Sequence, residues 1–343
     1  MRVAIVGATG AVGTIMRRLV RERFGDAELV AFASERSVGK ELEVGLICQQ
    51  LNSESVKGFD LALFSAGATR SREWAHKFAD GGALVVDNSS AFRMDADVPL
   101  VVSEVNPDEI HNAPRNIVAN PNCTTMVVML PAKALHDAFG LKAMVATSFQ
   151  AAGGAGQKGI DELIEQVRPV GADVKRLIEN GEAAAREVEA EIHANTLAFN
   201  VVPMLGTLGE NGYTDEEMKL QNESRKILAL PEMEMTPTCV RVPVAVGHSV
   251  AIRATFEREV DLAEAYRALE AFPNLIVREA PTPLECAGRD ETFVGRVRKD
   301  LSDPHVLSFF VVGDNLLKGA ALNTVQIAEL AIERGVAGER AAA

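Results

Sequence analysis

Cysteine is scarce in this 343-residue chain, and its four copies, at 48, 123, 239 and 286, are scattered. That spacing fits a reducing cytoplasm better than a disulfide framework. The cysteines do not cluster with histidine at ligand spacing, so no metal site is expected. Long apolar runs are missing too, and none approaches the ~20 residues of a membrane span. No secretory leader is expected, because Arg2 opens a strand and Gly7 breaks the early apolar run. Basic residues are in deficit, 35 against 48 acidic ones, for a net charge of −13. Such a surface argues against nucleic-acid or anionic-membrane partners. The single tryptophan, Trp74, and the ten methionines read as core. Repeats are absent, and the alanine-rich tail after Gly335 is expected to fray. Apolar residues make up 47% of the chain, enough at this length for two packed domains.

The N-terminus carries the first positive signal. Val3-Ala4-Ile5-Val6 reads as a buried strand, followed by Gly7-Ala8-Thr9-Gly10-Ala11-Val12-Gly13 and an apolar-periodic helix to about Phe24. The glycines match G-x-x-G-x-x-G, a variant of the dinucleotide fingerprint. Gly7 permits the tight turn, Gly10 close approach to a pyrophosphate, and Gly13 close helix–strand packing. The helix N-terminus then faces the phosphate. The next strand, Leu29 to Ala33, ends in Ser34-Glu35-Arg36-Ser37, where such folds read the adenine ribose. Arg36 with the hydroxyls of Ser34 and Ser37 suits a 2′-phosphate, which favours NADP, while Glu35 points toward NAD.

Asn120-Pro121-Asn122-Cys123-Thr124-Thr125 follows a short strand and opens a long apolar helix. A thiol in the first turn of a helix meets unpaired N–H groups and partial positive charge. Both favour the nucleophilic thiolate, and the same N–H groups can meet an oxyanion. A small buried hydrophobe is the alternative reading of Cys123.

The first third alternates strands with helices. Strands are expected at 60–65, 83–86, 100–102 and 117–119, with a helix over 70–79. That order implies a mostly parallel sheet with the cofactor at its carboxyl ends. Ser65 and Gly67 then border the crevice. Beyond Cys123 the pattern changes. A strand over 143–150 runs into Ala151-Ala152-Gly153-Gly154, and helices are expected near 159–167, 183–194 and 214–228. Valines alternate from Val240 to Val246, break at Gly247-His248, and alternation resumes from Val250 to Phe256. This reads as an antiparallel strand pair. A helix over 262–272 and a strand over 307–312 follow. A final amphipathic helix, about 318–334, returns to the first domain. The fold class is thus α/β, a Rossmann-like domain plus an α+β domain with a mixed, partly antiparallel sheet.

With these motifs in order, the chain resembles the aspartate-semialdehyde dehydrogenase family. The resemblance spans nearly the whole length: GATGAVG at 7–13, ASERSVG at 33–39, DNSSAFR at 87–93, NPNCTT at 120–125, FQAAGGAG at 149–156, EEMK at 216–219, RVPVAVGHS at 241–249 and DNLLKGAALN at 314–323. It implies an NADP-binding domain of residues 1–122 plus about 314–343. It also implies a catalytic and dimerisation domain of 123–313, and a homodimer. The implied reaction interconverts L-aspartate 4-semialdehyde and L-4-aspartyl phosphate with inorganic phosphate, through a thioester on Cys123. It would serve lysine, threonine and methionine biosynthesis. Cofactor contacts are carried over to Gly7, Thr9, Gly10, Ala11, Val12, Gly13, Ser34, Arg36, Ser37, Ser65, Gly67, Gly153, Gly154 and Asn315. Gly153 departs from the serine common in relatives, which implies altered cofactor packing.

The same resemblance assigns roles to single residues. His248 becomes the acid/base, suited by a titration near working pH. Gln150 orients the intermediate. Arg241 clamps the substrate carboxylate, since a guanidinium binds carboxylate bidentately. Arg93 and Lys219 meet phosphate, and Glu216 meets the substrate ammonium. Asn122, beside the nucleophile, either shapes the phosphate and oxyanion site or only holds the turn. Without the resemblance, Glu216 and Lys219 are an ordinary surface pair three apart on a helix. Two alternatives stay open: an N-acetyl-γ-glutamyl-phosphate reductase-like enzyme, and a non-catalytic NADP-binding paralogue. A glyceraldehyde-phosphate type enzyme fits the motif spacing less well.

Overall fold

The computed structural model describes residues 1–337, so the tail from 338 to 343 lies outside the described residues. The chain divides into two compact units. The first comprises Met1–Met129, Asn222–Pro231 and Leu316–Ala343, and the second Leu130–Gln221 and Glu232–Asn315. The first therefore continues past residue 122 and takes in a short segment from the middle of the chain.

The first unit is built on β1 (Arg2–Val6), α1 (Ala11–Arg23), β2 (Glu28–Phe32), the small ribbon β3 (Glu41–Glu43) and β4 (Leu46–Ile47), β5 (Leu61–Phe64), α2 (Ala68–Asp80), β6 (Leu84–Asp87) and β7 (Ile117–Ala119). Its main sheet is parallel throughout, in the order β2-β1-β5-β6-β7. These strands read as continuous apolar runs because both faces are buried. Val3, Ile5, Leu61, Leu63 and Val86 share one core with Met16, Leu19 and Val20 of α1. The C-terminal helix adds Val325, Ile327, Ala328 and Ala331 to that core. Alternate positions carry Phe32 and Phe64, whose rings meet Phe78 of α2 edge-on at 5.8 and 5.4 Å. The expected strand over 100–102 does not form. Leu100 makes only an isolated bridge to Ala119: the Val101 N–H donates to the Ala119 carbonyl at 3.0 Å, but the next amide on that edge, that of Ser103, goes to the Asn323 side chain at 3.2 Å.

α3 (Cys123–Phe139) leads from the first unit into the second. There follow β8 (Leu141–Gln150), α4 (Gln157–Gly171), the short α5 (Val174–Glu179) and α6 (Gly181–Ala185), α7 (Asp215–Ile227), β9 (Glu234–Arg241) and β10 (His248–Phe256). The unit closes with α8 (Leu262–Ala271), β11 (Leu275–Val277), α9 (Pro283–Cys286), β12 (Thr292–Lys299) and β13 (Val306–Gly313). α10 (Asn323–Glu333) belongs to the first unit and follows a π-helical turn, Leu317–Leu322. The second sheet is mixed, in the order β11-β12-β13-β10-β8-β9.

Two expectations change here. Residues 240–246 and 250–256 do not pair as a hairpin. β10 lies between β13 and β8, antiparallel to both, and β9 runs parallel to β8 on its far side. Pro243 lacks a donor for a ladder. Instead the carbonyls of Val244 and Ala245 accept the N–H groups of Ala152 and Gly153. The helix expected over 183–194 stops at Ala185. The Glu162 carboxylate draws the amides of Glu191, Ile192 and His193 out of any helical ladder.

Candidate active site

The first unit carries the nucleotide cradle. Gly7 leaves β1 with φ of 93°, a conformation glycine adopts freely. Gly10 caps α1 and donates its N–H to the Gly7 carbonyl at 3.1 Å. A Cβ at Gly13 would overlap that carbonyl oxygen, so this position admits only glycine without rearrangement. A cavity of about 310 Å³ opens here, lined by Val6, Gly7, Thr9, Gly10, Ala33, Ser34, Leu51, Ser65, Ala66 and Arg70. Five of the expected cofactor residues line it: Gly7, Thr9, Gly10, Ser34 and Ser65. Ala11, Val12 and Gly13 form the first turn of α1. Arg36 and Ser37 sit in a short 3-10 turn directly after Ser34, with Arg36 exposed beside Glu35. Gly67 caps α2 rather than lining the cavity. Sequence reasoning missed Leu51 and Arg70. Arg70 could have been suspected from its place in the first turn after the 65–67 strand end. A dinucleotide fits this cradle: bare helix N–H groups, a wall without side chains at glycines, and a nearby guanidinium.

The nucleophile turn also belongs to the first unit. β7 pairs with β6, and the Asn120 amide extends that ladder by donating to the Asp87 carbonyl at 2.8 Å. Pro121 then turns the chain. The Asn122 side chain accepts the N–H groups of Thr124 at 2.8 Å and Thr125 at 3.4 Å, the geometry of a helix N-cap. Cys123 therefore occupies the first helical position and is partly exposed, unlike the other three cysteines. Burial pushes the Cys239 and Cys286 thiols up to about 12 and also raises Cys48. Arg93 is 7% exposed beneath this turn. Its guanidinium donates to the Asn120 carbonyl at 2.9 Å, the Asn88 carbonyl at 3.0 Å and the Glu223 carboxylate at 3.0 Å. Those bonds use three of its five N–H groups.

The second unit gathers the remaining candidates at the ends of β8, β9 and β10. Gln150 ends β8 in register with Arg241 of β9. It is 1% exposed, and its amide lies 3.3 Å from the Ser148 hydroxyl. One residue, Ala151, joins the other two: its carbonyl accepts from Arg241 Nη1 at 2.7 Å, and its N–H donates to His248 Nδ1 at 3.0 Å. Gly154 lies against the same pair, since a Cβ there would stand 2.6 Å from Arg241 Nη1 and 3.3 Å from His248 Nε2. Burial first, and then the Arg241 charge, hold the His248 imidazole well below its usual value. The imidazole is thus neutral near pH 7. With Nδ1 accepting an N–H, its proton resides on Nε2.

Asn315 follows the end of β13. Its Oδ1 accepts the Gly247 N–H at 2.9 Å, while its buried Nδ2 has no partner. That orphaned donor suits a carboxamide or phosphate oxygen of a cofactor. Gly153 is close by, and a Cβ there would stand 2.8 Å from the Ala245 carbonyl and 3.5 Å from Asn315 Nδ2. Lys219 of α7 bonds Asp215 at 2.7 Å and Glu216 at 3.2 Å. Burial alone would lower this lysine, but the two carboxylates outweigh it and hold the ammonium above its usual value. Among the described residues no group of three or more His, Cys, Asp or Glu side chains could hold a metal ion, and no helix is long and apolar enough to cross a membrane.

Comparison with known proteins fits this geometry. Residues 2–113 match the family model described as semialdehyde dehydrogenase, NAD binding domain, and residues 132–318 match semialdehyde dehydrogenase, dimerisation domain. A parallel nucleotide-binding sheet joined to such a domain defines an oxidoreductase of the semialdehyde dehydrogenase class. The aspartate-semialdehyde dehydrogenase of Streptomyces akiyoshiensis is 49% identical over 333 residues, covering 96% of this chain and 98% of its own. That of Aquifex aeolicus is 45% identical, covering 98% and 99%. Among solved structures, aspartate semialdehyde dehydrogenase II of Vibrio cholerae complexed with ASA superposes with a TM-score of 0.88 at 40% identity, over 97% of this chain and 98% of that one. The chain belongs to the aspartate-semialdehyde dehydrogenase family.

Proposed function

We propose that this chain interconverts L-aspartate 4-semialdehyde and L-4-aspartyl phosphate with NADP, through a thioester on Cys123, and that it works as a cytoplasmic homodimer. The observation that carries the reading is the partly exposed Cys123 in the first turn of an Asn-capped helix, in a chain whose other cysteines are buried. The resemblance and the relatives' names supply the substrate.

In the oxidative direction the Cys123 thiolate attacks the aldehyde carbon, a C–S bond forms and the carbonyl oxygen becomes an oxyanion. His248 meets that oxygen with its Nε2 proton, in place of the proton-accepting role expected from sequence. NADP would be held by the Gly7–Gly13 turn, Ser34, Arg36, Ser65 and Asn315, and would supply the hydride acceptor, with NADPH as the donor in reverse. Loss of hydride from the thiohemiacetal carbon leaves the thioester. Phosphate then attacks that carbonyl, the C–S bond breaks, and Cys123 departs as thiolate. Gln150 orients the acyl group through its amide. Arg241 holds the substrate carboxylate and Glu216 its ammonium. Lys219 and the two remaining N–H groups of Arg93 hold phosphate. In reverse the same steps reduce aspartyl phosphate, the biosynthetic direction for aspartate-family amino acids.

The test replaces Cys123 with alanine. Turnover is expected to vanish while NADP binding, followed by fluorescence titration, stays within about twofold. Retained turnover in C123A would overturn the reading. Turnover of only an N-acetylated semialdehyde by the unaltered enzyme would move the assignment to the reductase alternative.

A further inference from the structure

Glu223 is a buried carboxylate that the mechanism above leaves unused. It is 1% exposed, and both oxygens are engaged. Oε2 accepts the backbone N–H of Asn122 at 2.6 Å, and Oε1 accepts Arg93 Nη1 at 3.0 Å. Asn122 is the cap residue of α3, and the next residue is Cys123. Arg93 in turn grips both chain segments below the turn, through the carbonyls of Asn120 and Asn88. Lys226, one helical turn after Glu223, fastens the loop after Arg93 by donating to the carbonyls of Arg93, Asp95 and Val98, each at 2.8 Å.

A buried charge pair of this kind is a costly way to gain stability, since removing two ions from water offsets most of their attraction. Its geometry instead fixes a conformation. The Asn122 amide points inward to Glu223, while the Asn122 side chain points forward onto the amides of Thr124 and Thr125. Cys123 is thereby held at the first helical position with a set orientation. The pair also sets the local field. The Glu223 carboxylate lies one peptide unit from Cys123 and compensates the Arg93 cation. Without the carboxylate, the uncompensated guanidinium would favour the thiolate more strongly.

We propose that Glu223 is a positioning residue for the nucleophile: it orients the Asn122–Cys123 turn and, through Arg93, tunes how readily Cys123 ionises. This rests on Cys123 being the nucleophile. The test compares E223Q, R93Q and the double variant in the full-length enzyme. Two readouts are taken: kcat and KM for semialdehyde and NADP, and the pH dependence of Cys123 alkylation by iodoacetamide, followed by peptide mass spectrometry.

E223Q is expected to lose about tenfold or more in kcat with KM for NADP within about twofold. Its alkylation midpoint should fall by about half a pH unit or more, as the Arg93 charge becomes uncompensated. R93Q should move the midpoint the opposite way, and the double variant should return it near the unaltered value while kcat stays low. Unchanged kcat and midpoint in E223Q would overturn the proposal, as would shifts of the same sign in both single variants. If E223Q fails to fold, E223D carries the test, because it keeps the charge beside Arg93 but draws the carboxylate back from the Asn122 N–H. A kcat loss of about tenfold with KM for phosphate and NADP within about twofold supports the proposal, and normal kcat overturns it. Failure of the underlying reading is seen separately, as turnover surviving C123A or surviving complete alkylation of Cys123.

Discussion

His248 offers the sharpest test of the proposed chemistry. The family resemblance makes it a proton shuttle, yet the Ala151 N–H points at Nδ1 from 3.0 Å, which keeps a lone pair there. A protonated Nδ1 would set two N–H groups against each other. Burial and the Arg241 charge act in the same direction and hold the imidazole neutral. The side chain therefore lends an Nε2 hydrogen bond rather than taking a proton. Losing one such donor to an oxyanion costs about 10²–10³ in kcat, or roughly 3–4 kcal/mol. H248A should show that loss, and some destabilisation from the unpartnered Ala151 amide, about 1–3 kcal/mol. Glutamine cannot shuttle a proton, but it can present an amide N–H near the position of Nε2. H248Q should therefore stay within about tenfold of the unaltered enzyme. Nitrogen NMR of labelled histidine should show a bare Nδ1, a protonated Nε2 and no titration between about pH 6 and 8. H248Q as inactive as H248A, with an imidazole that titrates near 6.5, would refute the argument. The folded value lies below the unfolded one, so the unfolded state binds more protons. Acidification below about 6.5 should then destabilise the protein, and this residue should add no pH dependence above it.

Other outcomes follow from the same geometry. Brief treatment with a thiol reagent at pH 7 should label Cys123 alone in the folded protein, since the Cys239 and Cys286 thiols are buried and pushed up to about 12. Peptide mapping that finds either of those labelled first would contradict this. R36A should raise KM for NADP about tenfold or more with little effect on NAD, because only NADP carries the 2′-phosphate. Equal effects on both cofactors would remove Arg36 from that role. G13A should lower stability by about 1–3 kcal/mol and weaken cofactor binding, because its Cβ overlaps the Gly7 carbonyl. Thermal melting with and without NADP separates the two effects.

What was legible in the sequence was what local chemistry dictates. The glycine turn at 7–13 is a strand, a forced backbone conformation and a helix start within a few residues, so it needs no tertiary information. The Asn-capped turn at 120–125 is local in the same way. Strand partnership was not legible. The valine alternation over 240–246 is compatible with a hairpin, but the actual neighbours of β10 are β8, about a hundred residues earlier, and β13, and pairing is decided by the whole sheet. The region after Ala185 has helical composition, yet Glu162 captures its amides from another element. Glu223 and Arg70 escaped notice for a related reason. Each is an unremarkable charged residue on a helix, and its meaning comes only from what folding brings beside it.

The central claim is a phosphate-dependent aldehyde oxidation through Cys123. Its most direct test is NADPH formation from L-aspartate 4-semialdehyde, with and without inorganic phosphate, with NAD run in parallel. The account predicts turnover that requires phosphate and is faster with NADP, together with a single acyl adduct on Cys123 when phosphate is withheld. Absence of turnover in a protein that still binds NADP, or turnover indifferent to phosphate with no adduct on Cys123, would contradict it.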